Sequence, residues 1–189
     1  MACLPESPRW LAQCHSIDVI DSDDWSFNLT ADGLYSSQSD RVCAVLTADC
    51  LPVLICNKAG TQVAAVHAGW RGLAEGILEQ AISLFSGNRN DILIWLGPAI
   101  GSRHFEVGHD VVTAFTEHAS EAELAFRQTD SSHFMADIYL LARQRLSAMG
   151  ITEIYGGNLC TVSDPDHFFS YRRDNVSGRL ASLIWISSR

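Results

Sequence analysis

The 189-residue sequence has no apolar run approaching the roughly 20 residues that a membrane-spanning helix needs, so no membrane partner is expected. It is also poor in basic side chains. Thirteen Lys and Arg stand against 22 Asp and Glu, a formal net charge of −9. A nucleic-acid backbone demands a concentrated basic surface, so that partner class is excluded as well. A small anion is not, because a few arginines can converge locally, and Arg71, Arg103, Arg172 and Arg173 are the candidates. There is no Cys-x-x-Cys pair, which argues against a structural zinc knuckle, and no His-x-His pattern. No internal repeat, linker or low-complexity tract is visible. The opening Met1-Ala2-Cys3-Leu4-Pro5-Glu6 lacks a basic segment followed by an apolar one, so no secretory leader is expected. The six cysteines then read as reduced thiols and the location as cytoplasmic.

What is present fits one globular domain, residues 1–189, with 47% apolar and 19% charged residues. Residues 1–13 read as loop. Strands are expected at 17–20, 41–46, 51–56, 92–96, 154–155, 168–171 and 180–186, from Val, Ile and Leu enrichment. The turn signal Asn57-Lys58-Ala59-Gly60 makes 61–67 the second arm of a hairpin. An acidic turn occupies Asp21 to Asp24. Helical spacing runs from Leu73 to Phe85, around Asp110 to His118, and from Met135 to Met149. Strands early and late around the helices predict an α+β fold, with mixed β-sheets flanked by helices.

Two segments invite chemistry. In Thr47-Ala48-Asp49-Cys50-Leu51-Pro52, a thiol follows an acid that makes a poor core residue. Alone, Cys50 reads as a small buried hydrophobe; beside Asp49 it also reads as a nucleophile or soft metal ligand. In Val66-His67-Ala68-Gly69-Trp70-Arg71-Gly72, the histidine ends an apolar run and glycines open the backbone beside it. A helix start beside Arg71 suits an anion. His15, in Gln13-Cys14-His15-Ser16, reads as a loop residue or as a third ligand; a Cys/His/His set leaves zinc a fourth position for water. Phe168-Phe169-Ser170-Tyr171-Arg172-Arg173-Asp174 reads as a strand end or as a wall where a ring stacks on a purine and an arginine holds phosphate. Cys43 and Cys56 read as buried structural thiols, Cys3 as a terminal residue without a role, and His104, His109, His118, His133 and His167 as surface residues.

Four motifs in order, Thr47 to Val53, Ala65 to Gly72, Leu96-Gly97-Pro98-Ala99-Ile100-Gly101 and Phe168 to Asp174, resemble the bacterial YfiH-like family over essentially the whole chain. That family is variously labelled laccase-domain, multicopper polyphenol oxidoreductase and purine nucleoside phosphorylase. The resemblance implies a zinc site made by His15, Cys50 and His67, with Cu2+ as the alternative ion. It implies phosphorolysis of adenosine, inosine and methylthioadenosine, adenosine deamination, and a fold similar to the cytotoxic necrotizing factor deamidases, which use a Cys-His pair. Ala31-Asp32-Gly33 looks like the family's Ala-Asp-Ala/Gly element near the pocket. In this reading Cys50, His67 and Asp49 are catalytic, and Arg71, Arg172, Arg173, Phe169, Tyr171 and Asp32 face nucleoside and phosphate. Relatives carry a Ser-Thr-Arg-x-Gly-Gly segment that this chain starts after. Where many have cysteines following Gly-Pro-x-Ile-Gly, this chain has Ser102-Arg103-His104, so no thiol ligand is expected there.

The alternatives are a copper-dependent polyphenol oxidase, a cysteine hydrolase or deamidase using Cys50 with His67 as base, and a zinc-binding scaffold without turnover. Scattered histidines fit poorly with a multicopper arrangement. The oligomeric state is left open.

Overall fold

The computed structural model describes residues 4–188; Cys3 lies outside them. In chain order the elements are β1 (Val19–Asp21), β2 (Gly33–Ser36), β3 (Cys43–Thr47), β4 (Leu51–Asn57), β5 (Val63–Ala68), α1 (Trp70–Glu75), α2 (Ile77–Ser83), β6 (Ile92–Leu96), β7 (Glu106–Gly108), α3 (His109–Thr116), β8 (Phe126–Gln128), β9 (His133–Ala136), α4 (Ile138–Ala148), β10 (Glu153–Gly156), α5 (Tyr171–Asp174) and β11 (Leu180–Ile184).

The expected hairpin is β4 with β5, paired antiparallel from Leu51 opposite Ala68 to Cys56 opposite Val63. Asn57 closes it, its side-chain oxygen accepting the backbone N–H groups of Thr61 and Gln62. This hairpin lies at the centre of a six-stranded mixed sheet, order β1-β2-β5-β4-β6-β10, whose outer pairs β1–β2 and β6–β10 are parallel. Both faces of the sheet are covered, which explains why its strands read as near-continuous apolar runs. Val53, Ile55, Val66, Ile94 and Leu96 pack toward the helices. Leu34, Val63 and Ala65 pack on the other side against Cys43 and Val45 of an antiparallel ribbon, β3 with β11. A small sheet, β7-β9-β8, completes the α+β fold.

Several expected elements shift, each for a local reason. The helix expected from Leu73 to Phe85 is two helices broken at Gly76, whose φ of 106° is left-handed. Arg145 of α4 fills the break, donating to Glu79 at 2.8 Å and to the Ala74 carbonyl at 3.1 Å. The helix expected to start at Met135 starts at Ile138, because Asp137 caps it by accepting the Leu140 N–H and leaves Met135 in β9. The strand expected over Phe168 to Tyr171 is absent. Ser170 instead accepts the Arg173 N–H and caps the short helix α5. The acidic segment at Asp21 to Asp24 is a 3-10 turn capped by Asp21. The fully buried strand β2 has no counterpart in the sequence expectations.

Candidate functional site: a His-Cys-His cluster between two cavities

Three connections carry the cluster. The loop before β1 carries His15, the turn between β3 and β4 carries Cys50, and the end of β5 carries His67. Gln13 anchors the first loop by pairing with Leu46 as a strand would, donating to its carbonyl and accepting its N–H at 2.8 Å each. Both His15 and Asp49 hold left-handed backbones, with φ of 65° and 87°. Such conformations are costly for residues with a Cβ and persist only where the surroundings enforce them.

At His15 the enforcing group is Asp32. Its carboxylate is fully buried and accepts backbone N–H groups from Cys14 at 3.1 Å, His15 at 3.0 Å and Ser16 at 2.7 Å. It also meets Nδ1 of His67 at 2.7 Å. Asp49 does the equivalent work at the other turn. It accepts the Thr161 hydroxyl at 2.6 Å and the Arg172 N–H at 2.7 Å, and its own carbonyl accepts the Ile100 N–H at 2.9 Å. The Gly97-Pro98-Ala99 motif is fixed in turn by Tyr139, whose hydroxyl accepts the Ala99 N–H at 2.8 Å and lies 3.0 Å from the Gly97 carbonyl.

The ligand-capable atoms of His15, Cys50 and His67 all lie within 4.8 Å of one another. Cys50 Sγ is 3.8 Å from His15 Nε2, and the two imidazoles meet edge to face with centroids 4.9 Å apart. Tetrahedral sulfur and nitrogen ligands on zinc are separated by about 3.6 Å, so the sulfur-nitrogen spacing needs only a small adjustment. With Nδ1 of His67 held by Asp32, Nε2 is left for the ion, the usual carboxylate-histidine-metal arrangement. Gly69 makes room for the set: a Cβ there would stand 2.6 Å from His15 Cδ2 and 3.3 Å from Cys50 Sγ.

The groups of the cluster shift one another's proton affinity. For His67, burial opposes the charged ring, but the bonds to Asp32 and Cys50 outweigh it and push the ring up to about 9. For Cys50, burial opposes ionisation, but hydrogen bonds from His15 and His67 bring the thiol down to about 7. For Asp32, burial also opposes ionisation, yet the bonds from His67, Ser16 and Cys14 hold the carboxyl well below the ordinary range.

Two cavities meet at Cys50 and Tyr171. One, of about 390 Å³, is lined by Gln13, His15, Thr47, His67, Tyr171 and Arg179. The other, of about 170 Å³, is mainly apolar, with Trp70, Ile100, Phe105, Ile138, Tyr171 and Arg172 in its wall. Of the arginines named from the sequence, only Arg172 lines either of these two cavities. Arg172 donates to the carbonyls of His104 at 3.1 Å and Glu106 at 3.3 Å, and lies over the Phe105 ring. Arg173 binds the carbonyls of Thr161 at 2.8 Å and Phe168 at 3.0 Å. Exposed Arg71 stacks over Trp70 at 4.3 Å and lines neither cavity. Phe169 packs under Gly178, where a Cβ would meet its ring at 2.8 Å. The cationic residue the sequence reading did not select is Arg179, hidden in a Ser-Gly-Arg turn before β11.

The structural thiols behave as expected. Cys43 is buried and pushed up to about 12 by that burial, and half-buried Cys56 is raised for the same reason. His109, His118, His133 and His167 are exposed, while His104 is half-buried against Ser163. Among the described residues no helix is long and apolar enough to cross a membrane.

The sequence matches, over residues 1–187, the family model described as multi-copper polyphenol oxidoreductase laccase. It is 52% identical over 184 residues to the purine nucleoside phosphorylase YfiH of Escherichia coli (strain K12), covering 97% of this chain and 75% of that one. It is 48% identical to a purine nucleoside phosphorylase of Haemophilus influenzae, with 96% and 75% covered. The crystal structure of the Neisseria meningitidis protein NMB0706 superposes with a TM-score of 0.93 at 46% identity, over 96% of this chain and 75% of that one. That of the Bacillus licheniformis hypothetical protein YfiH gives 0.90 at 28% identity, over 95% and 74%. The chain belongs to the multi-copper polyphenol oxidoreductase laccase family, within which its relatives include the YfiH purine nucleoside phosphorylases.

Proposed function

We propose that this chain is a zinc-dependent purine nucleoside enzyme that phosphorolyses adenosine, inosine or methylthioadenosine, with adenosine deamination as a further reaction of the same site. The observation that carries the reading is the convergence of His15, Cys50 and His67 at the junction of two cavities of different polarity. It is supported by relatives named as purine nucleoside phosphorylases. Zinc, which His15, Cys50 and His67 would hold, would supply Lewis-acidic polarisation of a ligand oxygen.

In phosphorolysis the bond between the anomeric carbon and the purine nitrogen breaks, its electron pair leaves with the base, and a phosphate oxygen bonds to the carbon. The chain's own groups divide the binding work. The apolar cavity, with Trp70, Phe105 and the exposed ring of Tyr171, suits a planar base. Arg179, in the wall of the more polar of the two cavities, donates one guanidinium nitrogen to the Ser177 and Gly178 carbonyls and would hold phosphate with the others. Asp32 acts beneath the site, fixing the His67 ring and the His15 backbone. Asp49 is likewise a positioning residue, locking the Cys50 turn to α5. Arg172 shapes the apolar wall, whereas Arg71, Arg173 and Phe169 line neither cavity.

Base release from adenosine, inosine and methylthioadenosine, measured with phosphate and with or without a chelator, tests the reading. Phosphate-dependent release that chelation and His67→Ala both abolish is expected; release no greater than that of His67→Ala overturns it.

One observation favours a second reading. Cys50, His67 and Asp32 form a thiol-imidazole-carboxylate series, the arrangement of a cysteine hydrolase. In that case the metal blocks the nucleophile, and chelation raises activity instead of removing it. Copper chemistry at the same three ligands is a further alternative, and metal analysis of protein purified without added copper separates the ions.

A further inference from the structure

Thr47 lines the polar cavity beside the cluster and has no part in the chemistry so far. It ends β3, and strand alternation fixes the face it occupies. Cys43 and Val45, four and two residues earlier, pack against Val63 and Ala65 of β5. The next member of each series is Thr47 on the ribbon and His67 on the sheet. Both are buried, Thr47 at 2% and His67 at 4% exposure, and both line the same cavity.

A buried hydroxyl ordinarily finds a partner in the protein. Ser22 and Ser36 bond each other at 2.9 Å, Thr161 donates to Asp49 at 2.6 Å, and Ser170 accepts the Arg173 N–H at 3.1 Å. Thr47 is the exception among the buried serines and threonines of the described residues, because its Oγ1 has no hydrogen-bond partner there. Its polar neighbours are committed: Gln13 to both backbone groups of Leu46, and Nδ1 of His67 to Asp32. On folding the hydroxyl left water and received nothing in exchange, which a ligand oxygen arriving in the cavity would correct.

The cavity's charge selects the ligand. Arg179 immediately precedes β11, whose Leu180 stands opposite Thr47 in the ribbon. Its guanidinium is exposed, and no carboxylate lines this cavity, so an anion meets a cation and no opposing charge in the wall. We propose, resting on the phosphorolysis reading, that the Thr47 hydroxyl is a second anchor for phosphate, donating its proton to one phosphate oxygen while Arg179 holds others. Two donors on neighbouring strands fix the orientation of a tetrahedral anion, which one exposed guanidinium leaves free to turn.

Phosphate binding to the full chain, with the metal it carries as purified, is measured by titration calorimetry without nucleoside. Thr47→Val keeps the shape and removes the hydroxyl. It is expected to weaken phosphate at least about tenfold, with metal content unchanged and the melting temperature of phosphate-free protein equal or higher. Thr47→Ala should weaken phosphate to the same degree, and Thr47→Ser should keep most of the affinity. The KM for nucleoside should not move in any of the three. Phosphate affinity that ignores Thr47→Val, a change confined to the nucleoside KM, or loss of metal together with phosphate overturns the inference. Phosphate held through Thr47 with no base release from the parent chain would fail phosphorolysis and leave the inference standing. A parent chain that binds no phosphate fails both.

Discussion

Asp32 holds Nδ1 of His67 at 2.7 Å with the same carboxylate that receives the backbone N–H of His15, so one buried acid sets the position of both imidazoles. Replacing it by Asn should therefore damage the cluster from beneath. An amide turns one acceptor oxygen into a donor facing N–H groups, and it no longer holds the His67 ring by charge. Asp32→Asn is expected to weaken zinc binding about 10- to 100-fold, with Cys50, His15 and His67 all still present. Competition with a chromogenic chelator measures it, and unchanged affinity would remove Asp32 from this role.

Acidity should govern metal uptake. His67 must lose a proton held up to about 9, and Cys50 one held to about 7. Zinc binding near neutral pH is expected to release about one proton or more, with apparent affinity climbing about tenfold per pH unit between those two values. Calorimetry in two buffers of different ionisation enthalpy reads the proton count. In the metal-free protein, the raised His67 contributes stability that is complete below 6.5 and lost as pH rises through about 9. The lowered Asp32 contributes stability present above 3.8 and lost as pH falls. Between 7 and 9 the lowered Cys50 thiol gains the stability that His67 loses, so the melting temperature of metal-free protein should stay nearly level there and fall as pH drops below 3.8.

Gly69 offers a cleaner separation of site from fold. Its φ of −63° is open to any residue, so alanine there introduces no backbone strain. The added methyl would meet His15 Cδ2 at 2.6 Å. Gly69→Ala is expected to displace His15 and lower zinc occupancy at least tenfold, the cost of an outer-contact change at a metal site. Melting temperature of the metal-free protein should move little, and a normal zinc content would show that the loop can yield.

The arginines should divide in kinetics. Arg179→Ala is expected to raise the KM for phosphate about tenfold, the effect of losing one charge-assisted contact, with little change in melting temperature. Arg173→Ala should instead lower stability by about 1–3 kcal/mol, because the carbonyls of Thr161 and Phe168 lose their donor. Phosphate titrations and denaturant melts on both variants check the division.

The sheet was legible where apolar residues run together: Ile92 to Leu96 reads as a strand and is β6, and the Asn57 turn correctly predicts the hairpin. Tyr35-Ser36 hid β2, because a strand whose serine bonds another buried serine carries no apolar alternation. Capping decided the misplaced elements: Asp137 and Ser170 each accept an N–H that restarts the chain as helix, a tertiary choice that periodicity does not record. For the site, the motifs singled out His15, Cys50 and His67, but spacing gave no warrant for their meeting. Asp32 reads as a pocket residue and is a buried anchor; Arg179, which the sequence analysis does not single out, lines the cleft. Such roles depend on direction across elements far apart in sequence.

The left-handed turn at His15 is held by contacts that involve no ion: Asp32 below it and Gln13 before it. A cation binding at this cluster would therefore find the His15 loop already fixed in place. Uptake would be paced by the ion shedding its own water rather than by any folding of the loop around it.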